Sequence, residues 1–367
     1  MASLRRRSLL RGERIRVLVV DDSVVIRRLV THALEQDAEI EVVGAASNGA
    51  IALERIPQLK PDLLTLDIEM PEMDGLETLR RVRPAFPEIR VIMCSTLTER
   101  GAAITFEALS LGADDYVTKT CGAASLDHAL ERLREDLVPR IKQFFDLPGQ
   151  APAASVASSP ASPPPRPAAV ATVRTVAPRI VVIGCSTGGP TALVNVLPQF
   201  PAGFPLPILV VQHMPPLFTR LLAERLNSHC KLVACEATDR EPLVGGKILI
   251  APGDFHMRVV NCGGEVRVRL DQSAPQNFCR PAVDALFCSV AEVFGGSTVA
   301  AILTGMGQDG LRGAGLLKAQ GAIVIAQNRE SSVVWGMPGA VVNAGLADSV
   351  VPLDQCAHEI LRQANRG

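Results

Sequence analysis

The sequence predicts two α/β domains in tandem, each a parallel sheet wound with helices, and three observations predict it. Short runs of β-branched and aliphatic residues alternate with apolar residues at helical spacing, the pattern of strand–helix–strand units joined by right-handed crossovers. The polar residues capable of chemistry sit at the ends of those runs, where open parallel sheets form their ligand crevices. Between the two series lies a tract from Leu147 to Pro178 dense in Pro, Ala and Ser, which cannot bury enough apolar surface to order itself. A chain of 367 residues that is 47% hydrophobic has room for two cores.

The opening Met1 to Gly12 is basic but has no apolar stretch of signal length, so residues 1–14 are expected to be a disordered extension. Arg16–Val20 reads as a buried strand ending in Asp21 and Asp22, followed by a helix with Ile26, Leu29, Val30, Ala33 and Leu34 on one face. Ile40–Gly44 is a second strand, and Asp62–Leu66 a third that ends in Asp67. Arg90–Cys94 leads to Ser95 and Thr96, and Asp115–Thr118 leads to Lys119. A helix from Ala124 to Leu137 closes a five-stranded domain over 15–137, with 138–178 read as linker. Ile141, Phe144 and Phe145 either prolong that domain or cap an interface. Three carboxylates brought together repel one another unless a cation sits among them. Asp21, Asp22 and Asp67 are oxygen ligands suited to Mg²⁺, which leaves coordination positions for phosphate oxygens. Ser95 can hydrogen-bond a phosphoryl oxygen and Lys119 can neutralise one. The set implies phosphorylation of a carboxylate; acids that merely end strands would account for one such residue.

The second series, 179–367, opens with Arg179-Ile-Val-Val-Ile-Gly-Cys-Ser-Thr-Gly-Gly-Pro190. Ser186 stands in a Gly-x-Ser-x-Gly frame between a strand and a helical pattern through Leu193, Val194 and Leu197. Such a turn lifts a serine hydroxyl into the open and aims helix N-terminal N–H groups at what it attacks; glycine-rich turns also bind phosphate. His213 ends a second strand, Pro207–Gln212, and Asp309 follows a third, Thr298–Thr304, in the loop Gly305-Met-Gly-Gln-Asp-Gly310. His256, after the strand Lys247–Ile250, rivals His213 as a base. The chain order Ser, His, Asp differs from that of the α/β-hydrolases, chymotrypsin and subtilisin.

Net charge is −1, and no helix-turn-helix spacing or aromatic–basic interleaving points to nucleic acid. No stretch is long and apolar enough to span a bilayer. The nine cysteines lack zinc spacing and read as reduced thiols in the cytoplasm, with Cys185 a packing residue.

Residues 15 to about 137 resemble a response-regulator receiver domain, through Val19-Val-Asp-Asp-Ser23, Leu66-Asp-Ile-Glu-Met-Pro-Glu-Met-Asp-Gly75, Ser95 and Tyr116-Val-Thr-Lys119. Residues 179 to about 363 resemble the catalytic domain of the chemotaxis-receptor methylesterase/glutaminase family. The matching stretches are Ile183–Gly189, Gln212–Pro215, Ala251–Asp254, Leu303–Gly310, Ala326–Asn328 and Gly336–Pro338. The resemblance implies a flavodoxin-like receiver linked to a doubly wound catalytic domain. It implies nucleophile Ser186, base His213 rather than His256, orienting acid Asp309, and oxyanion donors at the N–H groups of Thr187 and Met306. It further implies phospho-acceptor Asp67, metal residues Asp21, Asp22 and Asp67, and switch positions Ser95, Tyr116 and Lys119, with Mg²⁺ needed for phosphorylation and no cofactor for hydrolysis. The implied partners are methyl-accepting chemotaxis receptors as substrate and a chemotaxis histidine kinase as phosphodonor. One departure from the receiver pattern is Thr120, where proline usually follows the lysine. Two other readings compete: a receiver-controlled hydrolase of some other ester, and a phospho-switch without catalysis.

Overall fold

The computed structural model describes residues 7–10, 12–96, 98–119, 126–146 and 177–365. Thr120, the first six residues and the central part of the Pro-rich tract, 147–176, lie outside the described residues.

A two-residue strand β1 (Arg7–Ser8) precedes a regular alternation: β2 (Ile15–Val20), α1 (Val24–Glu35), β3 (Ile40–Ala46), α2 (Gly49–Leu59), β4 (Leu63–Asp67), α3 (Gly75–Ala85), β5 (Arg90–Thr96), α4 (Glu99–Ser110), β6 (Asp115–Lys119) and α5 (Leu126–Lys142), then the short β7 (Phe145–Asp146). Strands β2 to β6 form a parallel sheet in the order β3-β2-β4-β5-β6. Side chains of a strand point alternately to its two faces, and both faces are covered here. Leu18 and Val20 pack with Ile56 and Leu79 of α2 and α3, whereas Val17 and Val19 pack with Val30 and Leu34 of α1 and Ile141 of α5. Ser23, Asn48, Asp74 and Thr98 cap α1 to α4, each side-chain oxygen accepting a first-turn N–H.

The boundary expected after Leu137 is corrected. Helix α5 runs on to Lys142, and Leu137, Ile141, Phe144 and Phe145 are buried in the receiver core. Strand β7 then pairs in parallel with β1, and the Leu9 N–H donates to Asp146 O at 3.2 Å. Burying these side chains outweighs the proline-rich character of the adjoining sequence. Residues 138–146 therefore belong to the first domain rather than the linker, and residues 7–10, expected in a disordered extension, are tied to it.

The second domain comprises β8 (Ile180–Cys185), α6 (Gly189–Val196), β9 (Ile208–Gln212), α7 (Phe218–His229), β10 (Val233–Glu236), β11 (Lys247–Ile250), β12 (His256–Cys262), β13 (Glu265–Asp271), α8 (Val283–Val293), β14 (Thr298–Ile302), α9 (Leu311–Ala319), β15 (Ile323–Gln327), α10 (Met337–Asn343), β16 (Ser349–Val351) and α11 (Leu353–Ala364). Its seven-stranded parallel sheet has the order β10-β11-β9-β8-β14-β15-β16. Helices α6, α7 and α11 cover one face; α8, α9 and α10 cover the other, together with the antiparallel hairpin β12–β13. The hairpin is an addition that the strand–helix alternation does not announce.

In both sheets the strand order reverses beside the first strand of the series. The reversal lies between β2 and β4 in the first domain and between β8 and β14 in the second. Such a switch point splays the loops at the strands' carboxyl ends and opens a crevice. Asp21 and Asp67 flank the first crevice; Ser186 and the loop bearing Asp309 flank the second. No helix among the described residues is long and apolar enough to cross a membrane.

Candidate active site and its cover

At the first crevice, one carboxylate oxygen from each of Asp21, Asp22 and Asp67 lies within 4.8 Å of the others. Asp21 and Asp67 are buried and Asp22 is exposed. Lys119 Nζ bridges the buried pair, 2.7 Å from Asp21 Oδ2 and 2.7 Å from Asp67 Oδ1. Burial pushes the Asp67 carboxyl up; Lys119 opposes this and the nearby Asp21 charge adds to it. Burial works against the Lys119 cation, but its bonds to Asp21 and Asp67 hold the ammonium above its ordinary range. Three oxygen donors converging on one point, one of them open to solvent, fit a divalent cation of the Mg²⁺ kind. Ser95 is buried, with its hydroxyl accepting from Thr105 Oγ1 at 2.8 Å.

At the second crevice, β8 ends at Cys185 and the backbone turns abruptly. The Ser186 N–H donates to Thr304 O at 3.0 Å, and Gly188 takes φ +77°. A Cβ on Gly189 would stand 1.9 Å from Gln212 Oε1, so glycine lets α6 begin hard against the end of β9. A Cβ on Gly305 would lie 2.9 Å from Ser186 Cβ, which brings the loop carrying Met306 and Asp309 directly against the serine.

His213 follows β9, and its Nε2 lies 2.8 Å from Asp309 Oδ2. Asp309 is 2% exposed and held from several sides. Its Oδ2 accepts the Val283 N–H at 2.6 Å, and its Oδ1 accepts the Asp284 N–H at 3.0 Å and Asn277 Nδ2 at 2.7 Å. The carboxylate thus caps the N-terminus of α8, where free N–H groups and the helix dipole favour negative charge. Burial alone would raise the Asp309 carboxyl; the bond to His213, its charge and the α8 N–H groups hold it below the ordinary range. Burial likewise works against the His213 cation, but Asp309, with the adjacent Cys279, pulls the imidazole upward. The other ring nitrogen, Nδ1, lies 3.5 Å from Cys279 Sγ.

The rival His256 is placed differently. It starts the hairpin rather than a crevice loop, is fully buried, and contacts only backbone through its ring nitrogens, with the Ala282 N–H at 3.2 Å from Nδ1 and Ala274 O at 3.2 Å from Nε2. Burial drives the Cys185 thiol pKa strongly up, consistent with packing. Among the described residues neither the Thr187 nor the Met306 N–H has a hydrogen-bond partner.

The receiver lies over this edge. Ser186, Thr187 and His213 share a cavity of only about 10 Å³ with Asp115, Tyr116 and Arg140 of the first domain, room for a single water. The Tyr116 ring stacks on the Phe218 ring of α7 at 4.8 Å and 6°, and Phe106 of α4 lies against the Phe218 ring at 6.1 Å. Thr187 Oγ1 lies 3.2 Å from both Asp115 Oδ2 and Gln143 Oε1, so one hydroxyl proton is shared between two receiver acceptors. Arg140 Nη1 and Gln143 Nε2 donate to the same Asp115 oxygen at 3.0 and 3.1 Å. At the rim, Arg220 pairs with Glu99, and Arg225 Nη2 donates to Ser110 Oγ at 2.6 Å. Asn277, Cys279, Asp115, Gln143 and Phe218 were not singled out from the sequence. Their partners lie on distant elements or in the other domain, and no local spacing marks them.

Fold and site together define a receiver domain joined to a doubly wound α/β catalytic domain. Residues 17–131 match the family model for the response regulator receiver domain, and residues 181–360 match that for CheB methylesterase. The chain is 48% identical over 348 residues to a protein-glutamate methylesterase/protein-glutamine glutaminase of Trichodesmium erythraeum, covering 95% of this chain and 98% of that protein. It is 49% identical over 360 residues to one from a Nocardioides species, covering 96% of each. The crystal structure of the Thermotoga maritima CheB methylesterase catalytic domain covers 51% of this chain and 99% of its own at 46% identity, with a TM-score of 0.50. The chain belongs to the protein-glutamate methylesterase/protein-glutamine glutaminase family.

Proposed function

We propose that the protein hydrolyses glutamate methyl esters on chemotaxis receptors, and deamidates receptor glutamines, by a Ser-His-Asp acyl-enzyme mechanism that phosphorylation of the receiver unmasks. The observation that carries the reading is the arrangement at the β8/β14 switch point. His213 is bonded to the buried Asp309, shares a cavity with Ser186, and that cavity is roofed by the receiver.

Ser186 attacks the ester carbonyl as His213 takes its proton. With Nε2 held by Asp309, Nδ1 is the nitrogen that exchanges that proton, giving up its 3.5 Å contact with Cys279 Sγ to do so. Asp309 orients the ring and stabilises its cation. The unpaired N–H groups of Thr187 and Met306 receive the developing oxyanion, each such donor typically worth ~3–4 kcal/mol in the transition state. His213 returns the proton to departing methanol, or to ammonia when the substrate is an amide, and water then releases the glutamate.

Control begins at Asp67, which accepts the phosphoryl group from a chemotaxis histidine kinase. Asp21, Asp22 and Asp67 are the residues that would hold Mg²⁺, which when bound would supply charge neutralisation for the incoming phosphoryl group. Lys119 exchanges its bonds to Asp21 and Asp67 for the new phosphate, Ser95 turns to it, and Tyr116 repacks away from Phe218. Loss of that stack weakens the docked face and opens the cavity. Mass spectrometry of methylated receptor peptides, before and after incubation with the full chain and an acyl phosphate, tests the reading. A loss of about 14 Da, one methylene, is expected at each modified glutamate; unchanged peptide masses would refute it.

A further inference from the structure

Phe278 stands beside the base, fully exposed at 103%. It lies in a two-residue turn closed by the Gln276 N–H to Cys279 O at 3.1 Å and the Cys279 N–H to Gln276 O at 2.8 Å. Asn277 and Phe278 have φ of +50° and +62°. Two positive φ values in a two-residue hairpin turn suit asparagine at the first position and glycine at the second. An aromatic residue in that second place is strained, and its full exposure returns no packing within the chain. Strain retained without packing is characteristic of functional positions.

The neighbours indicate which function. Asn277 Nδ2 donates to Asp309 Oδ1 at 2.7 Å, and Cys279 Sγ lies 3.5 Å from His213 Nδ1. The turn is therefore pinned to both the acid and the base, and Phe278, between the two pinned residues in sequence, lines a cleft of about 340 Å³. His213, Met214, Pro215 and Cys279 also line this cleft. His213 lines both this cleft and the small cavity that holds Ser186, so a substrate backbone lying along the cleft delivers a short glutamyl side chain past His213 to the serine. Residues flanking the ester then meet Phe278.

We propose that the receptor segment carrying the ester enters as a helix and that Phe278 is a specificity-determining anchor that receives one of its aliphatic side chains, one turn from the modified glutamate. On a helix, residues three and four apart share a face, so an apolar neighbour at that spacing arrives over the phenyl ring as the ester arrives at Ser186. The inference rests on the receptor-ester reading above. Tyr116, Val117 and Arg140 of the receiver form the opposite wall of the same cleft, so the docked receiver stands where the substrate helix would lie.

The test compares wild type, Phe278→Gly and Phe278→Leu as full chains phosphorylated with an acyl phosphate and Mg²⁺, on methylated receptor and on the small ester p-nitrophenyl acetate, which is too short to span the rim. Glycine suits the turn, so Phe278→Gly is expected to hold or raise Tm. The ratio of receptor to small-ester kcat/KM should fall about tenfold, mostly through KM, and Phe278→Leu should recover most of it. An unchanged ratio overturns the anchor, as does a lowered Tm with both substrates losing rate together, which would make Phe278 a structural support of His213. Wild-type protein that cleaves the small ester but releases no methanol from receptor overturns the parent reading and the anchor with it. Wild-type release matched by Phe278→Gly overturns the anchor alone.

Discussion

The Ser186–His213–Asp309 set depends on one buried carboxylate with two tasks, since Asp309 holds His213 and caps α8 at once. Asp309→Asn keeps the cap's shape but loses the charge and favours the wrong tautomer. Turnover should fall ~10³–10⁴-fold, measured as methanol release. The pH profile carries a second signature. A base whose pKa is raised stays protonated as pH climbs, so the neutral, active His213 appears only above its ordinary value of 6.5. The acid limb of kcat/KM should therefore lie above that pH in wild type and move to lower pH in Asp309→Asn; a limb that does not move would separate Asp309 from His213. Ser186→Ala should abolish methanol release with fold and phosphorylation intact. Among these residues the sequence was informative because each ends or follows a strand. It favoured His213 over His256 without settling the choice, since both follow strands; β9 runs beside β8 in the central sheet, whereas β12 leaves it as a hairpin.

At the scale of elements, the nine strands β2–β6, β8, β9, β11 and β14 were legible from their β-branched runs, with observed boundaries within a residue or two of those read from the pattern, whereas β1, β7, β10, β12, β13, β15 and β16 were not read. Nor was the end of the receiver. Pro139 sits within α5, and prolines dominate soon after, so local composition argues for a stop near Leu137. The helix persists because Ile141, Phe144 and Phe145 fill the face between α1 and the sheet, a tertiary gain invisible to local propensity. Phe144→Ala should cost the receiver ~3–5 kcal/mol, read by denaturant unfolding; a cost below about 1 kcal/mol would return 138–146 to the linker. The last residues of this extension also form the latch. Gln143→Met keeps volume but removes both its bond to Thr187 and its bond to Asp115. Basal hydrolysis by the full chain should rise several-fold without phosphate, and an unchanged basal rate would make the contact incidental.

For the whole molecule, the two domains repeat one design: a switch-point crevice with chemistry at the strand ends. The apolar packing is continuous between them through Phe106, Tyr116 and Phe218. Nothing in either half alone reveals this, because Tyr116 reads as a strand residue of one domain and Phe218 as a helix residue of the other. Asp67→Asn should leave the full chain at its basal rate in the presence of acyl phosphate and Mg²⁺.

The central claim is that the receiver holds a competent active site closed. Its most direct test is methanol release from methylated receptor by a chain starting at Arg179, set against the unphosphorylated full chain at equal concentration. Conformational couplings of this kind are typically worth ~1–3 kcal/mol, so the shortened chain should be faster by roughly 5- to 150-fold. A shortened, folded chain no faster than the unphosphorylated whole would contradict the account and place control in activation by the receiver or in its recruitment to the substrate.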